Sequence, residues 1–126
     1  MDIPAHFFYT TDHEWISGKS GIVEVGISAH AIKELGEVVH IELPNIGEHF
    51  QKGDSFGTIE STKTVSDLYM PDSAKIYEVN KHIVENPESL TKDSYHDGWL
   101  IKVTLDKEIT QKLMSANEYE IYLKKT

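Results

Sequence analysis

The chain has 126 residues, a formal net charge of −9 and no cysteine. That length suits a single compact domain, and the absence of cysteine excludes disulfides, thiolate metal sites and thiol nucleophiles. All 12 basic residues are lysine, so this acidic chain lacks the guanidinium groups and the basic face typical of nucleic-acid binding.

The first third of the chain predicts short strands followed by a helix. Residues 7–17 alternate loosely and carry aromatic side chains, and Ile22 to Ile27 form a short β-prone run. The helix pattern starts after Ser28, a suitable N-cap, continues with apolar side chains at helical spacing over residues 29–35, and stops at Gly36. A helix of about two turns is therefore expected between two strands.

A predicted hairpin with a lysine at its tip occupies the middle of the chain. Residues 37–44 alternate as a strand, and two further β-prone runs, residues 55–62 and 64–71, flank Lys63. A charge at this place contributes little to stability, but a lysine ε-amine can carry a covalent cofactor that must swing clear of the protein. The ordinary interpretation of such a residue is a solvated turn lysine. Whether Lys63 instead carries a cofactor has to be judged from the residues around it.

The remaining elements are two strands and a helical C-terminal region. Ala74 to Asn80 and Trp99 to Leu105 are predicted strands, joined by an irregular polar connection over residues 81–98. Residues 106–125 have helical spacing and predict two short helices that break near Ser115–Ala116. Short strands with many glycine turns favour a small β-sandwich or flattened barrel.

Sequence motifs for catalysis, nucleotide binding and metal binding are absent. There is no Gly-x-Ser-x-Gly nucleophile elbow, no Walker loop and no Gly-x-Gly-x-x-Gly. No two histidines are spaced i, i+4 around a carboxylate on a helix, and we expect no metal site. The seven histidines are scattered: His6, His13, His30, His40, His49, His82 and His96.

The segment around Lys63 resembles the lipoyl-attachment segment of the glycine cleavage H-protein family. That family shows Glu-Ser-x-Lys-x-x-Ser-Asp, and Glu60, Ser61, Lys63, Ser66 and Asp67 occupy those places here. The stretches YTTDHEW, VGISAHAIKELGEVVHIELPNIGE, ENPESL and DGWLIKV resemble further family motifs in the same order. The resemblance covers nearly the whole chain.

The resemblance implies a mainly β, lipoyl-domain fold. This fold is a flattened β-barrel sandwich (barrel-sandwich hybrid) with a short inserted helix and C-terminal helices, as one domain over residues 1–126. It also implies a non-catalytic carrier with lipoate on Lys63, attached by a lipoate ligase or lipoyl transferase. The arm would shuttle the methylamine group of glycine from glycine decarboxylase (P protein) to aminomethyltransferase (T protein), and dihydrolipoamide dehydrogenase (L protein) would reoxidise it. We expect a monomer in the bacterial cytoplasm, or in the mitochondrial matrix if the chain is a processed eukaryotic protein.

The same resemblance implies roles for four residues besides the lysine. Glu14 and Asp67 are expected in a cleft that holds the loaded arm, whose cationic end suits nearby carboxylates. Glu60 and Ser61 are expected to take part in recognition by the lipoylating enzyme. On pattern alone, Glu14 and Asp67 are also readable as surface carboxylates, one beside a core tryptophan and one on the outgoing strand of the hairpin.

Three other functions stay open. A relay protein of the same kind would donate lipoyl groups to other lipoate-dependent enzymes, and the sequence does not separate that role from glycine cleavage. Other lipoyl or biotinyl carriers show Asp-Lys-Ala or Met-Lys-Met at the turn, whereas this chain has Thr62, Lys63 and Thr64. A small β-domain that only binds another protein would leave Lys63 unmodified.

The chain departs from the family in three places, one of which is His96 in the stretch YHDGW. Ala74 follows the hairpin where glycine is common, which would cost about 1 kcal/mol if the position required a positive φ. Ala29, His30 and Glu34 differ from the usual residues of the inserted helix, so the polarity of the expected cleft is left open.

Overall fold

Nine strands and four helices lie within residues 3–125, the part of the chain that this computed structural model describes. The strands are β1 (Phe8–Tyr9), β2 (Glu14–Ile16), β3 (Ile22–Ile27), β4 (Val38–Glu42), β5 (His49–Phe50), β6 (Ser55–Ser61), β7 (Val65–Tyr69), β8 (Ala74–Val79) and β9 (Ile101–Leu105). The helices are α1 (Ala29–Leu35), α2 (Lys81–Glu85), α3 (Ser89–Lys92) and α4 (Ala116–Lys125). The strands form a six-stranded sheet, in the order β1-β2-β3-β9-β8-β5, and a three-stranded sheet, in the order β4-β6-β7.

The two sheets share one hydrophobic core. Val25 and Val103 from the larger sheet are buried in the same cluster as Ile41, Ile59 and Leu68 from the smaller one. Successive side chains of a strand point to opposite faces of its sheet, so each sheet turns an apolar face toward the other. This arrangement confirms the predicted mainly β sandwich fold.

The inserted helix α1 has the ends that its sequence predicts. The hydroxyl oxygen of Ser28 accepts a hydrogen bond from the backbone N–H of Ala31 at 3.2 Å, which caps the first turn. Gly36 follows the helix with φ 88°, a conformation that favours glycine, and its N–H donates to the carbonyl of Ile32.

The C-terminal region contains one helix, α4, and the prediction of two was wrong. Residues 106–114 are irregular, because Ile109 and Leu113 bury their side chains in the core and Met114 exchanges two backbone hydrogen bonds with Tyr9. The connection predicted to be irregular contains the short helices α2 and α3. Within residues 3–125, no helix combines the length and the apolar character needed to cross a membrane.

Ala74 needs no glycine-like backbone. It is the first residue of β8, pairs with Leu105 and Phe50 in the neighbouring strands, and is fully buried. Among the described residues, the one non-glycine residue with positive φ is His13. The turn after the hairpin therefore accommodates alanine in a strand conformation.

Candidate functional site

Lys63 lies at the tip of the β6–β7 hairpin, as predicted. The backbone N–H of Ser61 donates to the carbonyl of Thr64 at 2.8 Å, which leaves Thr62 and Lys63 as the two residues of the turn. The hydroxyl oxygen of Ser61 accepts hydrogen bonds from the N–H groups of Lys63 and Thr64, at 3.1 and 3.2 Å. The N–H of Thr62 donates to the carbonyl of Glu37 at 3.0 Å, which ties the tip to the start of β4. A side chain thus fixes this turn, and none of its residues has a positive φ.

The side chain of Lys63 lies against the end of α1. A Cβ added at Gly36 would meet Cε of Lys63 at 3.4 Å and Nζ at 3.8 Å. Lys63 is exposed and takes part in none of the ion pairs between residues 3 and 125. Its ε-amine is therefore accessible and is not held by a carboxylate.

A cavity of about 360 Å³ lies between α1 and β7, and we call it the α1–β7 cavity. Leu35, the neighbour of Gly36, is part of its lining, so the cavity begins close to the Lys63 side chain. The structure brings Glu14 and Asp67 into the same lining, although they are distant in sequence. The polar lining residues are Asp12, His13, Glu14, His30, Glu34, Ser66 and Asp67.

Glu14 is buried, so its interpretation as a surface carboxylate was wrong. Its side chain is 2% exposed, and one carboxylate oxygen accepts a hydrogen bond from the backbone N–H of Tyr69 at 2.8 Å. The hydroxyl of Thr10 lies 3.5 Å from the other oxygen. Burial raises the pKa of Glu14 to about 8, and the hydrogen bond from Tyr69 only partly opposes that rise.

The other three predicted site residues differ in exposure. Asp67 is exposed on the outgoing strand and accepts a hydrogen bond from the hydroxyl of Ser55 at 3.1 Å. Glu60 is exposed near the hairpin tip, whereas Ser61 is buried beneath it. A partner protein can thus contact Glu60 directly. Ser61 can affect recognition only indirectly, through the conformation of the turn that its hydroxyl group holds.

Sequence reasoning missed His13 as a residue of the cavity, and it linked His30 and Glu34 to the expected cleft without predicting their contact with each other. Nε2 of His30 lies 3.5 Å from a carboxylate oxygen of Glu34, and the ring centroids of His13 and His30 are 5.2 Å apart. Burial, followed by the neighbouring His30, lowers the pKa of His13. The i, i+4 spacing of His30 and Glu34 on a predicted helix was the one signal that could have found part of this group.

Comparisons with known proteins agree over nearly the whole chain. The family model described as Glycine cleavage H-protein matches residues 7–126. A glycine cleavage system H protein of Rubrobacter xylanophilus is 47% identical over 118 residues, which cover 94% of this chain and 92% of that protein. Another, from Halothermothrix orenii, is 40% identical over 124 residues, which cover 98% and 97% of the two chains.

A solved structure shows the same fold. The crystal structure of a glycine cleavage system H protein from Mycobacterium marinum matches with a TM-score of 0.90 at 41% sequence identity. The match covers 97% of this chain and 99% of that one. Both the sheet arrangement and the helices therefore have a counterpart of known structure.

Proposed function

The chain belongs to the glycine cleavage H-protein family, and from this premise we propose that it carries a lipoyl group on Lys63 and shuttles the methylamine group of glycine. In this proposal the group passes from glycine decarboxylase to aminomethyltransferase, dihydrolipoamide dehydrogenase completes the cycle, and the chain itself catalyses no step. The observation that carries the proposal is an exposed lysine at a hairpin tip, next to a cavity lined by carboxylates.

The residues around Lys63 fit a covalent acyl arm. The ε-amine is accessible for amide formation, and the missing side chain of Gly36 leaves room for the lysine stem to pass the end of α1. The α1–β7 cavity begins at the adjacent residue, Leu35. A lipoyl amide supplies the reversible disulfide chemistry that a chain without cysteine lacks.

We assign Glu14 and Asp67 to the cationic end of the loaded arm. With a pKa of about 8, Glu14 is mostly uncharged at neutral pH while the cavity is empty. A cation beside it favours the ionised form, so binding would release a proton and create a charge-assisted hydrogen bond. Asp67 adds a second carboxylate on the exposed side of the same cavity.

Recognition by a lipoate ligase or lipoyl transferase is assigned to the hairpin tip. Glu60 is exposed and close to Lys63 along the chain, so the enzyme can contact it directly. Ser61 contributes by holding the N–H groups of Lys63 and Thr64, and so presents the lysine in a fixed turn.

Intact-mass spectrometry with peptide mapping tests the proposal on the full chain, expressed with a lipoate ligase and free lipoate. We expect one lipoyl group on Lys63 and none in Lys63→Arg. A chain that stays unmodified while its circular dichroism spectrum is that of a folded β protein would overturn the proposal. Assays with purified glycine decarboxylase and aminomethyltransferase then separate glycine cleavage from a relay of lipoyl groups to other lipoate-dependent enzymes.

A further inference from the structure

A buried hydrogen-bond network joins α4 to the α1–β7 cavity. The hydroxyl oxygen of Tyr119 lies 2.8 Å from Nδ1 of His13 and 2.7 Å from the hydroxyl oxygen of Ser28. Tyr119 and Ser28 are fully buried, whereas His13 is half-buried and lines the cavity. The hydroxyl group of Tyr119 therefore joins the C-terminal helix to a residue of the cavity lining by a hydrogen bond.

The donors and acceptors of this network fit one arrangement of protons. The Ser28 oxygen already accepts the N–H of Ala31, and among residues 3–125 the Ser28 hydroxyl proton has only Tyr119 as an acceptor. If Ser28 donates to Tyr119, the Tyr119 proton is free for Nδ1 of His13, which must then be unprotonated. The reverse direction would leave the buried Ser28 proton without an acceptor, which is unfavourable in a protein interior.

We propose, on the premise that Lys63 carries the arm, that Tyr119 is a positioning residue whose hydroxyl locks His13 as the neutral tautomer with its proton on Nε2. The backbone of His13 is held as well, since its φ is 65° and its carbonyl accepts the N–H of Ser28 at 2.8 Å. Burial and the neighbouring His30 lower the pKa of His13, which agrees with a neutral ring.

Nε2 of His13 is accessible to solvent. Among the described residues, every buried side-chain nitrogen or oxygen atom has a hydrogen-bond partner. Nε2 of His13 has no such partner within those residues, so it is not buried. Because His13 lines the α1–β7 cavity, this locked ring can offer the arm an N–H donor and no basic nitrogen.

The choice of tautomer matters for a bound aminomethyl group. An aminomethyl group bound to sulfur is lost only when its amine is unprotonated. The nitrogen lone pair then forms a C=N bond while the C–S bond breaks and the sulfur leaves as thiolate. A His13 ring protonated on Nδ1 would present a basic Nε2 and could take the proton from the ammonium form. The lock by Tyr119 keeps this base out of the cavity and leaves the cation to Glu14 and Asp67.

Nitrogen-15 NMR of the histidine rings tests the lock on the full, unmodified chain, without any dependence on the arm. We expect wild-type His13 to show a protonated Nε2 and an unprotonated Nδ1, and Tyr119→Phe to show a mixture of tautomers. Tyr122→Phe is the matched control, because Tyr122 is on the same helix with its ring centroid 6.0 Å from that of His13 but makes no hydrogen bond to it. This control should keep the wild-type signature.

Protonation of Nδ1 in the wild-type ring would overturn the proposal, as would an unchanged tautomer in folded Tyr119→Phe. If that variant does not fold, the wild-type spectrum decides: coupling of the Tyr119 hydroxyl proton to Nδ1 of His13 supports the lock, and a hydroxyl proton directed at Ser28 excludes it.

The lifetime of the methylamine-loaded arm is the second readout of the lock. It should fall about fivefold in Tyr119→Phe, the effect of roughly one net hydrogen bond, while an unchanged lifetime would remove the shielding role. A chain that is never lipoylated would instead refute the carrier proposal and leave the tautomer result standing.

Discussion

Gly36 lies so close to Lys63 that an added Cβ would be 3.4 Å from Cε of the lysine. We expect Gly36→Ala to lower the free energy of unfolding by about 1 kcal/mol, because a φ of 88° disfavours a side chain. We also expect slower lipoylation, because the new methyl group crowds the lysine stem. Chemical denaturation measures the first effect, and the initial rate of the mass shift with a lipoate ligase measures the second.

Gly21→Ala separates strain from crowding in that experiment. Gly21 also has a positive φ, of 71°, but no atom lies within 4 Å of an added Cβ, so an alanine there is strained without meeting a neighbour. This variant should lose stability but be lipoylated at the wild-type rate. Equal slowing in both variants would contradict a direct role for the space at Gly36.

Ser61→Ala is expected to loosen the hairpin tip. The change removes the acceptor for the N–H groups of Lys63 and Thr64, and the loss of stability should be about 1 kcal/mol. Lipoylation should slow as well, because the ligase then meets a mobile lysine. Thr62→Ala is the matched control, since the Thr62 hydroxyl makes no hydrogen bond among the described residues. Wild-type lipoylation of Ser61→Ala would show that the ligase does not depend on a fixed turn.

The buried carboxyl group of Glu14 should make stability depend on pH. Burial raises its pKa from the ordinary 4.5 to about 8, so above pH 4.5 the folded chain keeps a proton that the unfolded chain releases. The free energy of unfolding therefore falls as pH rises from 4.5 toward 8, by up to about 1.4 kcal/mol per pH unit. Glu14→Gln removes this loss and keeps an acceptor for the N–H of Tyr69. Urea denaturation between pH 4.5 and 8 measures the free energy of unfolding of both proteins, and the advantage of Glu14→Gln over the wild type should grow as the pH rises. If the two free energies changed in parallel with pH, the raised pKa of Glu14 would be refuted.

Asp67→Asn is expected to shorten the lifetime of the methylamine-loaded arm. The loss should be about fivefold at low salt and smaller at high salt, because the carboxylate is exposed and its charge is screened. Asp106→Asn provides the control: this carboxylate pairs with His49 at 2.7 Å and does not line the α1–β7 cavity. Formaldehyde release from the loaded protein measures the lifetime, and equal rates in the wild type and both variants would remove Asp67 from the site.

Local sequence was sufficient to predict the parts of the fold that neighbouring residues determine. The bounds of α1 follow from Ser28 as its cap and Gly36 after its last turn. The position of Lys63 follows from two β-prone runs that leave only a short turn between them. In each case the deciding hydrogen bonds join residues a few positions apart.

Contacts distant in sequence decided what was missed. Glu14 is buried because the N–H of Tyr69, 55 residues away, supplies a partner for its carboxylate. The helix predicted before α4 does not form, because Met114 pairs with the backbone of Tyr9 instead. Helix propensity is a weak preference that such tertiary bonds override, and periodicity within a segment carries no information about them.

The hydrogen bond from the Tyr69 N–H to Glu14 also bears on association between molecules. β7 is one of the two edge strands of its sheet, and unpaired backbone amides on such an edge can pair with the backbone of another chain. The Glu14 carboxyl group accepts the hydrogen bond of one of these amides, that of Tyr69, which is then not available to another chain. Glu14, which we assign to the cationic end of the loaded arm, thus also protects the edge of β7 from pairing with another chain. Truncating its side chain would leave the Tyr69 amide free for such pairing and would remove a carboxyl group from the cavity.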